Sequence, residues 1–211
     1  MYAKLKEHRL MIIFSAIIFL MVLLYYSTVN PVVLSISNTD DWTYFGTFRS
    51  HPYPRSGWNV TRILPETLYP LTGLFSAFVI YPLTGDYLMS ASIALAIVMA
   101  IALTALYIAI YGLFRALCVN HRLCALVALM AMLLFAIIFK SASAPAGNVH
   151  MFFSGAYNLY FFYVLPNILN SMVVLLLMRI TIKTGALSLL TYIEMPTKNG
   201  GGGRKTRYRQ Q

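Results

Sequence analysis

The 211-residue sequence predicts an all-α transmembrane fold: about four membrane-spanning helices, one re-entrant or interfacial helix, and a polar outer loop after the first span. Three observations lead there. Hydrophobic residues make up 59% of the chain and charged residues 10%, against roughly 25% charged in soluble domains. The deficit comes from long runs without Asp, Glu, Lys or Arg, and a soluble chain of this size lacks the polar surface to wrap them. The basic residues that remain sit mostly beside those runs or in the last residues, where they report orientation in a bilayer.

The first element is the apolar run Leu10–Val29, preceded by Lys4, Lys6 and Arg9. It is long enough to span, and no small-x-small cleavage site follows, so it reads as an uncleaved anchor. A span needs about 20 apolar residues. Tyr87–Phe114 exceeds that and can tilt. Leu123–Phe139 is short but uncharged. Leu159–Met178 holds Pro166, Asn167 and Asn170. Proline frees backbone groups that neighbours must satisfy, so this helix is expected to pack against protein or line a cavity.

Glu66–Pro82 is the remaining apolar stretch. Pro65 and Glu66 look like a helix start, with the acid near the positive end of the dipole. Pro70, Gly73 and Pro82 argue against a plain span. Charge separates the alternatives. If this stretch does not cross and the N-terminus is cytoplasmic, 12 of the 16 Lys and Arg lie inside, leaving Arg49, Arg55, Arg62 and Lys140 outside. If it crosses, with the N-terminus still inside, only four lie inside, against the positive-inside bias. Crossing with the N-terminus outside restores the count but exports Lys4, Lys6 and Arg9. The expectation is therefore spans near 10–29, 87–114, 123–139 and 159–178, a re-entrant or interfacial helix over 66–82, and a cytoplasmic N-terminus.

Residues 1–182 form the expected membrane domain and 183–211 a basic, Gly-rich disordered tail. The stretch Met195–Gln211 reads MPTKNGGGGRKTRYRQQ, a flexible composition. It fits either a basic membrane-surface tail or the truncated or out-of-frame end of a longer protein. The second is the expectation, since four spans make a thin scaffold for so elaborate an outer loop.

The net charge of +10 does not indicate nucleic-acid binding, because no basic stripe alternates with aromatic platforms on a polar domain. Cys118 and Cys124 match no zinc spacing. There is no phosphate-binding glycine loop, no HExxH, no Ser/His/Asp order and no internal repeat.

Two outer loops hold the candidate chemistry. Asn30–Leu64 contains Asp40 and Asp41 in NTDDWTYFG. Adjacent carboxylates repel, so the pair can share a cation or supply a general base; Asn38 or Thr39 as a cap with acids in a first helical turn is the simpler explanation. Arg49, Arg55 and Arg62 share that loop. Guanidinium suits phosphate, though general attraction to anionic lipid needs no site. Arg62 stands out because RILPE puts it just before the interfacial helix. Glu66 either contacts substrate or serves the helix dipole. In the second loop, Lys140–Asn158, His150 and Tyr157 either orient a substrate or are ordinary interfacial side chains. Asp86, in PLTGDY, reads as a turn or helix cap, Lys140 snorkels at a helix end, and Asn59-Val60-Thr61 fits a glycosylation sequon.

A first span followed by an acidic outer loop, NTDDWTYFG, resembles the GT-C class of polytopic membrane glycosyltransferases. The stretches WNVTRILPETLYPL and SGAYNLYFFYVLPNILNS look similar to bacterial members that glucosylate O-antigen of lipopolysaccharide or other surface polysaccharide. The likeness covers roughly Leu10–Met178 by order of features and corresponds to an N-terminal portion. It implies a polyprenyl-phosphate sugar donor, a glycan acceptor and a site on the outer face of the bacterial inner (plasma) membrane. Asp40 or Asp41 would then activate the acceptor hydroxyl or help hold Mg²⁺ or Mn²⁺. Arg62 would neutralise the leaving phosphate, with Glu66, His150 and Tyr157 near substrate. Apolar grooves between spans would take the prenyl chain, and membrane lipids would surround the rest. Members of this class have many more spans. An inactive truncated remnant is therefore one alternative, and a transporter-like or partner-binding subunit another; the lack of an internal repeat counts against a transporter.

Overall fold

The computed structural model describes residues 8–29, 67–117, 120–138 and 157–184. Among these residues the structure is helical, with no strand. Helix α1 runs Arg9–Leu24 and ends in a wide π turn, Tyr25–Val29. Helix α2 comprises Tyr69–Phe75, a π segment Ser76–Ile80 and a last turn Tyr81–Thr84. Helix α3 spans Tyr87–Leu117 and α4 spans His121–Ile138. Helix α5 begins at Tyr157–Leu159, widens over Tyr160–Val164 and continues as Leu165–Thr184.

Three helical stretches are long and apolar enough to cross a membrane: Arg9–Thr28, Tyr87–Leu117 and Tyr157–Thr184. Three such helices in so short a chain are the make-up of a membrane protein. The expected span Leu123–Phe139 corresponds to α4, an apolar helix of 18 residues. Its length of about 27 Å falls slightly under the roughly 30 Å of a hydrocarbon core. Two boundaries differ from expectation for a common reason. α3 continues past Phe114 through Arg115, and α5 past Met178 through Arg179 and Lys183. Arg and Lys are good helix formers and favour the negative end of the dipole, so charge marks the edge of the apolar run but not the end of the helix.

α3 is the central element. Its buried positions lie on more than one face and include Ser90, Ala91, Ser92, Ala94, Ala96 and Ala100. Small side chains let neighbouring backbones approach closely, which is how helices associate in lipid without a hydrophobic drive between them. α1 and α5 pack along α3, and α4 packs on α3 beside α1. The outward faces stay apolar. Ile13, Ile17, Leu20 and Leu24 form an exposed stripe on α1, and Val173, Leu176, Leu177 and Ile180 another on α5. Spacings of three and four put each set on one helical face, and such continuous apolar surface suits acyl chains rather than water.

The π segments have a sequence cause. Ser76–Ile80 ends two residues before Pro82, and Tyr160–Val164 ends two residues before Pro166. A proline ring clashes with the carbonyl four residues back, here Phe78 and Phe162, which lie inside the widened turns. Widening moves that carbonyl aside and leaves the helix unbroken. The π turn Tyr25–Val29 stands at the same offset from Pro31 in sequence.

Between α2 and α3 the chain reverses over two residues. Gly85 adopts a left-handed conformation (φ 70°), and its N–H donates to the Tyr81 carbonyl at 2.9 Å, the usual use of glycine past a helix end. Asp86 then caps α3: its Oδ1 accepts from the N–H groups of Leu88 (2.9 Å) and Met89 (3.1 Å), as the sequence predicts. Asn120 does the same for α4, accepting from Arg122 at 3.0 Å.

Candidate functional site

The bundle has two chemically different ends and a cavity between them. At one end α1 finishes while α2, α3 and α5 begin. Tyr69 of α2 stacks on Phe161 of α5, ring centroids 4.4 Å apart and nearly parallel, and on Tyr157 at 5.3 Å. Tyr26 of α1 meets Tyr160 of α5 edge to face at 5.5 Å. All five rings are buried. The hydroxyls and carbonyls left over are tied to α3: Tyr157 Oη donates to the Ala91 carbonyl at 3.0 Å, and Ser92 Oγ to the Tyr26 carbonyl at 3.0 Å. The latter carbonyl lies in the π turn at the end of α1. Thr84 Oγ1, at the far end of α2, hydrogen-bonds Ser90 Oγ at 2.6 Å. The start of α2 thus meets Tyr157 of α5, which in turn reaches Ala91, and the last turn of α2 meets Ser90 of α3 directly.

The cavity lies between α3, α4 and α5 and measures about 680 Å³. Leu106, Ile110 and Phe114 line it from α3, Ala131 from α4, and Asn167 and Asn170 from α5. The two amides and Ser171 are the polar groups in an otherwise apolar wall. Ser171 Oγ is occupied, donating to the Asn167 carbonyl at 2.8 Å. The volume is in the range of small-molecule sites, and the lining suits a hydrocarbon chain with a polar contact part-way along.

At the other end α1 and α4 begin and α3 and α5 finish. Tyr111 Oη lies 2.9 Å from His8 Nδ1 and 3.1 Å from His121 Nδ1. A hydroxyl has one proton, so it donates to one imidazole and accepts from the other. The imidazoles meet edge to face at 4.7 Å. Beside them His8, Tyr111, Arg115, Arg179 and Lys183 line a concavity of about 380 Å³.

Of the residues singled out from sequence, Asp40, Asp41, Arg62, Glu66 and His150 lie outside the described residues, as do Arg49, Arg55, Lys140 and Asn59. Tyr157 is described. It belongs to the first turn of α5 rather than to the second loop, and it is fully buried, with its hydroxyl engaged by Ala91. Asn167 and Asn170, on the helix expected to pack against protein or line a cavity, are exposed and border the space between α3, α4 and α5. Among the described residues no group of three or more His, Cys, Asp or Glu side chains is positioned to hold a metal. Asp40 and Asp41, the residues read as metal-holding, lie outside the described residues.

Sequence reasoning missed the stacked tyrosines and the two-histidine junction. The one local signal was the spacing of four in Tyr157/Phe161, Tyr107/Tyr111 and Arg179/Lys183, which puts each pair on one helical face. Their partners on other helices carry no sequence signal. No family model matches the chain, and neither a curated protein nor a solved structure matches it.

Proposed function

We propose that the chain is the membrane-embedded part of a GT-C-like glycosyltransferase that moves a sugar from a polyprenyl-phosphate donor to a surface glycan at the outer face of the bacterial inner membrane. In this reading α1, α3, α4 and α5 all cross, α2 is re-entrant or interfacial, and the N-terminus is cytoplasmic. The supporting observation is the common end shared by the end of α1 and the starts of α2 and α5. The segment 30–66, with Asp40, Asp41, Arg62 and Glu66, leaves from and returns to that end. The segment 139–156, with His150, returns to it at Tyr157. The described residues that flank these segments at one end of the bundle support the reading. Asp40 or Asp41 takes the proton of the acceptor hydroxyl, and Arg62 meets the negative charge developing on the departing phosphate. The cavity beside Asn167 and Asn170 provides apolar volume for the prenyl chain.

The test is transfer of labelled sugar from a polyprenyl-phosphate donor by membranes containing the full chain. Replacing Asp40 and Asp41 together by alanine is expected to lower transfer by at least about a hundredfold, the usual size of a positioned base. Equal transfer by the double variant overturns the catalytic assignment. No transfer by the unaltered chain favours the alternative of a non-catalytic remnant or a partner-binding subunit.

A further inference from the structure

We propose that a second copy of this chain packs on the exposed face of α5, and that the two Asn170 amides hydrogen-bond to each other near the middle of the membrane. The inference does not depend on the glycosyltransferase reading. It requires only that α5 crosses.

Val173, Leu177 and Ile180 of α5 are each about half exposed, and Asn170 lies exposed in line with them. Spacings of three, four and three put all four on one seam, the a/d pattern of helices that pack side by side. The helix runs from Tyr157 to Thr184, so Asn170 stands about 20 Å from either end. That is close to the centre of a hydrocarbon core about 30 Å thick. From there its short side chain cannot reach the headgroups, as a Lys or Arg near a helix end can.

Other polar groups on this helix are satisfied within it. The hydroxyls of Ser171, Thr181 and Thr184 donate to the carbonyls of Asn167, Leu177 and Ile180, at 2.8, 2.9 and 3.0 Å. Among the described residues the Asn170 carboxamide has no such partner. Acyl chains offer none, and an amide left unpaired in lipid is strongly unfavourable. Asn167 is rotated about 60° off Asn170 and borders the groove between α3, α4 and α5.

Whatever covers the seam must therefore both donate and accept a hydrogen bond at the depth of Asn170. A carboxamide does both, and a second copy carries one at the same height. Copies inserted with one topology run parallel, so a two-fold axis along the membrane normal sets each seam position opposite its equivalent. Asn170 then meets Asn170, as a lone Asn at an a position does in a parallel coiled coil, where it fixes the register. Val173, Leu177 and Ile180 pack on their equivalents along the same line, and the amide pair is a bond of the kind that joins helices in lipid.

The experiment is disulfide trapping of the full chain in its membrane, with Cys118→Ser and Cys124→Ser as background and one cysteine added at a time. Val173→Cys and Leu177→Cys lie on the seam. Met172→Cys and Leu175→Cys lie on the side packed against the core. Oxidation with copper phenanthroline is expected to give a product of twice the chain mass at the two seam positions and little at the other two. Adding Asn170→Leu should lower the Val173→Cys product by about threefold to tenfold, the range of interhelical polar bonds in membranes. Asn170→Gln keeps the amide and should retain most of it. Asn170 is exposed, so either replacement leaves the packing within one copy in place. Equal yields at all four positions overturn the proposal, as does a Val173→Cys yield unchanged by Asn170→Leu. Absence of any doubled product also overturns it and leaves lipid or another segment of this chain on the seam. A cross-linked product of some other mass overturns it by making the occupant a different protein.

Discussion

Tyr157 shows what one side chain contributes and how its context can mislead. In sequence it stands in SGAYNLYFF, beside polar and small residues, and reads as a loop tyrosine able to touch a substrate. In the fold its ring packs beside the stacked pair Tyr69 and Phe161, and its hydroxyl reaches Ala91. The spacing of four that pairs it with Phe161 is local and legible. Tyr69 and Ala91 belong to other helices, and nothing near Tyr157 announces them. Gly85 and Asp86 are the opposite case, because a left-handed turn and a cap are made within a few residues and can be read directly. Tyr157→Phe should cost about 0.6 kcal/mol, the average measured for interhelical hydrogen bonds in membranes. Tyr157→Ala should cost about 3 kcal/mol or more, since a buried aromatic stack is lost with the bond. Reversible unfolding of the two variants in mixed micelles checks the order. Equal costs would mean the ring contributes nothing beyond its hydroxyl.

The prolines mark where the elements depart from regular helix. Pro82 and Pro166 each follow a widened turn instead of a break, so α2 and α5 continue through residues that usually end or kink a helix. The sequence marks both sites but not the outcome, because a kink, a break and a π turn all relieve the same clash. For α5 the contacts N-terminal to Pro166 decide. Closing the π turn would rotate the first turn of α5 by about 100°, one residue's worth of helix. Tyr157, Tyr160 and Phe161 would then leave Tyr69 and Tyr26. The hydrogen bond gained by restoring an N–H is worth about 1 kcal/mol, less than the packing of three buried aromatics. Pro166→Ala should therefore keep the widened turn. A double-mutant cycle between Tyr69 and Phe161 should give a coupling of about 1 kcal/mol both with and without Pro166. Loss of coupling in the Pro166→Ala background would show that the ring of Pro166, not the aromatic stack, sets the register of α5.

For the whole molecule, hydropathy made the helices legible and the distribution of charge favoured an α2 that does not cross. Its apolar run is nearly span-length in sequence. In the fold its start packs on Tyr157 of α5, whose hydroxyl reaches Ala91, and its last turn hydrogen-bonds Ser90 through Thr84. If α2 is re-entrant or interfacial, as proposed, its flanking loops share one side of the membrane. Residues 41 and 141 should then share a side and residue 120 should face the other. With Cys118 and Cys124 replaced by serine, a cysteine at Asp41 and one at Ser141 should each react with a membrane-impermeant maleimide in intact cells. A cysteine at Asn120, which caps α4 at the basic end, should react only after the cells are opened. A crossing α2 would put residues 41 and 141 on opposite sides, so unequal labelling of those two positions would refute the arrangement whatever the orientation of the N-terminus. It would also separate Asp41 from His150, and a site needing both would have no common compartment in which to form.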